Sequence, residues 1–300
     1  MKKYYLYAAI SILCWSTVAT IAKLLLGSMN SWQLLFISSL FAGLALLIYN
    51  IATKKVKMLA TFRWPDYLKI LGSCLPSTLL YYVFYYSGTA ILPASQAFVI
   101  NYLWPIMSVI FACLLLGERV TPVKIFGILL SFSGLIVVIA KDLSSFDTGA
   151  LFGVLLCVLD AVSYGAFTAL SRKAGYDKTV ALMISFFTTF LITGALLLVT
   201  DSLPQISWGQ ALGLVWNGAC AMGLANTVWL LALSGKDTAG ISNLAYITPV
   251  LSMIWLAVFL KEKISIFTVL GLVIILLGVF IPLLFEKWHA KKNISAAKTR

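Results

Sequence analysis

The chain has 300 residues, of which 61% are hydrophobic and only 11% charged, and its mean hydropathy is +1.00. That leaves too little charge to cover the surface of a soluble domain of this length, so the chain is a membrane protein. The net charge of +12 does not point to nucleic acid, because the basic residues are scattered over short connections and form no groove with interleaved aromatics.

An apolar helix needs about 20 residues to cross a hydrocarbon core of roughly 30 Å. Ten segments qualify, at about 4–26, 32–51, 65–87, 94–116, 123–140, 149–171, 179–200, 208–234, 242–260 and 265–286. Their apolar runs are continuous rather than alternating, which argues against a β-barrel. Lys2 and Lys3 lead straight into a span too long for an h-region and lacking an A-x-A-like site, so no cleaved signal peptide is expected. With the N-terminus in the cytoplasm, 18 of the 22 Lys and Arg residues fall on inner flanks. Lys141, Lys261 and Lys263 fall on outer flanks, and Lys23 lies within the first span. This asymmetry places both termini inside, in the cytoplasmic membrane, and accounts for the net charge. The five cysteines, Cys14, Cys74, Cys113, Cys157 and Cys220, lie inside spans without metal-like pairing and read as packing residues, and the single histidine, His289, sits in the basic tail. No metal and no cofactor is expected.

The stretch NYLWPIMSVIFACLLLGERVT, residues 101–121, has a second copy, AYITPVLSMIWLAVFLKEKIS, 144 positions later with no gap. The register pairs Tyr102 with Tyr246, Pro105 with Pro249, Glu118 with Glu262, Gly127 with Gly271 and Gly134 with Gly278. The chain therefore divides into five-helix halves at about 1–145 and 146–290, followed by a basic cytoplasmic tail at 291–300. Five spans per half is an odd number, so the halves enter the membrane in opposite senses. An inverted repeat of this kind serves transporters that alternate between two openings around a site near the pseudo-twofold axis. The predicted fold is all-α: ten transmembrane helices as two inverted five-helix repeats around a central cavity.

Pro105 and Pro249 each remove a backbone donor and free the carbonyl four residues back, at Asn101 and Ala245. Broken backbone at membrane depth persists where it is buried in protein or lines a wet cavity. The two prolines are therefore candidate hinges, and Asn101, Tyr102, Trp104, Asn243, Tyr246 and Thr248 are expected to face a central pathway. A pair of tolerated kinks with packing polar groups is the alternative.

These features resemble the drug/metabolite transporter superfamily, in particular its ten-span EamA-type members. The likeness rests on the two five-span repeats, on Cys14-Trp15-Ser16-Thr17, and on the duplicated proline followed by Gly-Glu-Arg-Val and Lys-Glu-Lys-Ile connections. Asn101-Tyr102-Leu103-Trp104-Pro105 together with Trp15-Ser16-Thr17 is similar to the branch of aromatic amino-acid exporters. The resemblance implies an inner-membrane carrier with a basket-shaped fold, a cavity built from spans 1, 3, 4, 6, 8 and 9, and export of amino acids or related metabolites. Ser163 departs from the pattern, standing where those exporters have a tryptophan.

Among individual residues, Asp160 is the one carboxylate near the middle of a span, where a charge costs a few kcal/mol even on the mildest scale. It should face the bundle interior with a partner, as a salt bridge to a substrate amino group, as a proton site, or as a hydrogen-bonded structural acid. Helical spacing puts Cys157, Asp160, Ser163, Tyr164 and Phe167 on one broad face. Lys23 is expected to snorkel, or less favourably to bind a carboxylate or pair with Asp160. The deep aromatics Trp15, Tyr81, Tyr82, Tyr85, Trp104, Tyr164, Trp229 and Tyr246 are candidates to stack a ring or hold a cation, with packing or lipid-facing roles as the alternative for any one of them. Gln96, Asn226 and Asn243 are candidate polar contacts, since an amide in hydrocarbon needs partners. Glycines every seven residues on spans 5 and 10 predict close helix packing.

The first reading is a secondary carrier exporting a small zwitterionic or neutral metabolite, expected to act as a monomer in the lipid bilayer. The second is a multidrug or cationic-compound exporter exchanging cargo for protons at Asp160. A lipid-modifying membrane enzyme needs a convergent acid, base, metal or nucleophile set, and the sequence offers none. No Walker motif is present, which excludes direct ATP coupling within the chain.

Overall fold

The computed structural model describes residues 2–140, 148–200, 204–234, 241 and 244–298, with side chains described to residue 285. Among these residues the chain is helical with no strand. Eight helices are long and apolar enough to cross a membrane. They are α1 (Lys2–Leu26), α2 (Ser31–Ala52), α4 (Ala94–Leu116), α5 (Pro122–Ala140), α6 (Thr148–Leu170), α7 (Lys178–Thr200), α8 (Trp208–Leu233) and the apolar part of α10 (Ile266–Phe285). Two further helices complete ten spans: α3 over residues 64–91 and the shorter α9 (Ala245–Phe259). α10 runs on to Lys298, through the stretch expected to form a separate tail, because after Pro282 no helix-breaking residue intervenes.

The spans are broken where the sequence leads one to expect it, and in places where it does not. In α4 the helix stops at Asn101, passes through Tyr102 and Leu103, and restarts at Trp104 with Pro105 in its first turn. In α9 a 3-10 turn, Ala245–Ile247, precedes the helix that opens at Thr248 with Pro249. The two interruptions stand in the 144-residue register, because each proline excludes the preceding residues from a regular helix. α1 breaks at Thr17, where the hydroxyls of Ser16 and Thr17 donate to the carbonyls of Leu13 (2.9 Å) and Cys14 (2.8 Å). α3 and α8, the third helix of each half, each contain a π-helical stretch, Pro76–Leu80 and Trp216–Leu224.

The glycines of α5 and α10 mark the symmetry of the fold. A Cβ on Gly127 would stand 2.4 Å from the carbonyl oxygen of Gly278, and one on Gly134 would stand 2.8 Å from that of Gly271. Because 271 is 127 plus 144 and 278 is 134 plus 144, these are the same contact made twice with the halves exchanged. Between them Ser131 donates to the carbonyl of Ile275, its own repeat mate, at 3.2 Å. The pseudo-twofold axis thus crosses this antiparallel pair at mid-helix, which is the relation of two inverted repeats. The expected glycine seam is present, and it joins the two halves to each other.

Candidate functional site

Asp160 lies wholly buried in α6, with Cys157 and Ser163 of the same face also buried. Asn101, the last residue before the break in α4, donates from Nδ2 to Asp160 Oδ1 at 2.7 Å. The second carboxylate oxygen, Oδ2, is buried and has no hydrogen-bond partner among the described residues. The helix end at Asn101 aims the amide inward, and the contact ties α4 of the first half to α6 of the second. Removing a carboxylate from water is costly, and one neutral amide offsets only part of that cost. The site therefore presents an acceptor suited to a cationic group or a proton.

Aromatic rings surround the turn that follows. Tyr164, one turn beyond Asp160, packs against Tyr81 and Trp104, both at 5.1 Å between centroids, and against Phe167 at 5.6 Å. Tyr81 in turn lies parallel to Tyr85 and edge-on to Tyr82. Such rings at 4.5–7 Å attract beyond their area burial and leave π faces for a flat or cationic guest. Beside this cluster is a small recess. Ser77, Thr78 and Tyr82 come to it from α3, Tyr164 and Phe167 from α6, Leu182 and Phe186 from α7, and Asn226 from α8. Tyr82 and Asn226 each stand two residues beyond a π stretch, a local widening of the helix often found at functional sites. Thr78 is part of a hydroxyl chain, 2.5 Å from Ser185 Oγ and accepting from Thr189 at 3.2 Å.

Asn217 holds this wall in place. It is fully buried within the π stretch of α8 and donates to Ser38 Oγ of α2 (3.0 Å) and to the Tyr86 hydroxyl of α3 (2.7 Å). Tyr86 packs on Tyr82 at 5.5 Å.

The residues expected to face the pathway do not all meet. Asn101, Trp104, Asp160 and Tyr164 form one group, and Tyr164, Tyr82 and Asn226 share the recess. Trp15 and Trp229 pair with each other at 5.4 Å between α1 and α8, with Cys14 and Cys220 nearby. Tyr246 packs on Phe280 of α10 at 4.0 Å. Gln96 is buried in the first turns of α4, one residue from Ser95. Asn243 lies outside the described residues. Lys23 neither snorkels freely nor meets Asp160: its ammonium donates to the carbonyls of Thr89 (2.6 Å) and Leu92 (2.8 Å), at the negative end of α3. Sequence reasoning missed Ser77, Thr78 and the α7 residues Leu182 and Phe186. Pro76, a helix breaker beside two hydroxyl residues, is the signal that could have found the first two.

Outside the membrane, Glu118 accepts from Lys124 (3.0 Å) and Arg172 (2.9 Å). The Lys124 hydrogen bond, with the charge of Arg172, holds its carboxyl below the usual glutamate range. Burial pushes the Asp177 carboxyl up. A 2.7 Å bond from Lys55 and the N–H and hydroxyl donors at the start of α7 outweigh that burial and leave it below the usual range.

Comparison with known proteins agrees with this architecture. The profile of the EamA-like transporter family matches residues 2–140 and again residues 151–284. An uncharacterized transporter of Archaeoglobus fulgidus is 24% identical over 288 residues, covering 93% of this chain and 97% of that protein. The aromatic amino acid exporter YddG of Ancylobacter novellus is 26% identical over 254 residues, covering 83% and 85%. The uncharacterized transporter YvbV of Bacillus subtilis is 26% identical over 252 residues, covering 80% of each chain. A crystal structure 23% identical in sequence superposes with a TM-score of 0.67 over 95% of this chain and 98% of its own, and shares the fold.

Proposed function

Because the chain belongs to the EamA-like transporter family, we propose that it exports amino acids, aromatic or neutral, across the cytoplasmic membrane by alternating access. The observation that carries this reading is the Asp160 carboxylate, buried, fixed at one oxygen by Asn101 and unpartnered at the other, one turn from Tyr164 and its ring neighbours. In this reading Oδ2 receives the substrate ammonium, and the Tyr81, Trp104 and Tyr164 rings hold its side chain, with the recess at Tyr82 and Asn226 taking the rest. The name of the Ancylobacter novellus relative supports the substrate class. Ser163, small where related exporters carry tryptophan, leaves room for side chains of different shape. Residues 1–145 and 146–290 are the units that move, bending at the breaks before Pro105 and Pro249, with residues 291–300 and both termini in the cytoplasm.

The test is counterflow into proteoliposomes preloaded with unlabelled amino acid, with labelled phenylalanine, labelled threonine and a cationic dye compared with and without a pH gradient. Saturable amino-acid exchange that persists without the gradient supports the reading. A second reading rests on the same unpartnered oxygen: Asp160 takes a proton, and the chain exchanges protons for cationic compounds. Gradient-dependent dye movement without amino-acid exchange would favour it. Loss of gradient-driven uptake in Asp160→Asn, with facilitated exchange intact, would assign the aspartate to coupling.

A further inference from the structure

Each half carries the same helix cap with a carboxylate just beyond it. Gly117 (φ +70°) and Lys261 (φ +51°) are repeat mates in the left-handed region. The next residue in each case, Glu118 or Glu262, returns its N–H to the carbonyl six residues back, at Ala112 (3.3 Å) and Leu256 (3.4 Å). Each bond closes the helix end around a left-handed residue, a position at which glycine is usual. Lysine adopts the left-handed conformation at Lys261 at a steric cost, and non-glycine residues keep it where their surroundings enforce it.

Both carboxylates reach across to the other half, at opposite ends of α4. Glu262, from the α9–α10 connection, accepts from the backbone N–H (3.1 Å) and hydroxyl (2.6 Å) of Ser95 in the first turn of α4. Glu118, just past the far end of α4, accepts from Arg172, which follows α6, while Lys173 donates to the Leu115 carbonyl at 2.9 Å. An anion thus sits at the positive end of α4 and cations at its negative end, the arrangement its dipole favours. Between these clamps α4 is broken at Tyr102 and Leu103, so its two segments can tilt separately. The corner before Ser95 stays with its own half, because Lys23 holds the Thr89 and Leu92 carbonyls.

We infer that these contacts are paired latches: Glu262 on Ser95 closes the external side of the cavity, Glu118 with Arg172 and Lys173 closes the cytoplasmic side, and releasing one opens that side. The Glu118–Arg172 contact is an exposed ion pair, weak enough to be made and broken in every cycle. The inference rests on the transport reading above but not on the identity of the cargo.

The test uses the full chain with its native cysteines replaced and a single recess cysteine, Ser77→Cys. Labelling by a membrane-impermeant maleimide is followed in intact cells and in inside-out vesicles. Glu262→Ala is expected to raise labelling from outside about threefold or more relative to the parent, and Glu118→Gln to raise it from the cytoplasmic side by a similar factor. Glu262→Gln, which keeps an acceptor but loses the charge, should shift labelling in the same direction by less, and it serves if the alanine variant does not accumulate. Unchanged labelling in Glu262→Gln and Glu118→Gln, or shifts equal on both sides, would overturn the inference. Opposite shifts in a chain that fails amino-acid counterflow would leave the latches standing and remove the cargo. Counterflow with unmoved labelling would do the reverse.

Discussion

The α5–α10 seam and the interior between α4 and α6 are built from the same duplicated sequence, and they treat the duplication in opposite ways. At the seam, Gly127 and Gly134 meet the repeat mates Gly278 and Gly271, so each contact occurs twice and the two copies cannot diverge independently. In the interior the copies have separated: the position 144 before Asp160 is Ser16, and the position 144 after Asn101 is Ala245. Ser16 accepts from the Trp255 indole of α9 at 2.9 Å, the counterpart of the contact between α6 and α4, but without a carboxylate. Symmetry is kept where two helices must fit each other and given up where the buried carboxylate sits.

That contrast can be broken most severely at the seam. Gly127→Leu forces side-chain atoms onto the Gly278 carbonyl and Pro282, and it is expected to cost about 3 kcal/mol and to abolish monodisperse protein in detergent, as read by size-exclusion chromatography. The interior should respond in function instead. Asp160→Asn is expected to keep the parent's melting temperature while amino-acid counterflow falls about tenfold or more. An intermediate effect is expected at Asn217→Ala, which strands the Tyr86 hydroxyl and Ser38 and should lower stability by about 1–3 kcal/mol. In a thermal-melt double-mutant cycle, Asn217→Ala combined with Ser38→Ala should cost less than the sum of the two.

The smallest expected effect lies outside the membrane. The Asp177 carboxyl is held below its ordinary value, so its stabilisation is in place at neutral pH and is lost as the pH falls through the folded-state value. The wild type should therefore exceed Asp177→Asn by about 0.5–1 kcal/mol at neutral pH, and by progressively less in melts taken toward acid pH.

The spans and their order were legible in the sequence because hydrocarbon thickness fixes helix length, and the breaks in α4 and α9 because Pro105 and Pro249 announce them. The π stretch of α8 was not, since Trp216–Leu224 contains no proline and the partners of its Asn217 lie on two other helices. Asp160 was conspicuous as a mid-span acid, whereas its donor Asn101 lies 59 positions away and only the fold joins them. Trp15, Trp229 and Tyr246 looked like the other deep aromatics, yet they pack apart from Asp160, because an apolar ring gives no sign of which interior face it occupies.

The most direct test of the central claim is equilibrium binding of labelled phenylalanine to the purified protein, compared among wild type, Asp160→Asn and Asp177→Asn. The account predicts saturable binding to wild type and Asp177→Asn, displaced by unlabelled amino acids, and its loss in Asp160→Asn. Binding by Asp160→Asn as tight as that of wild type would contradict it.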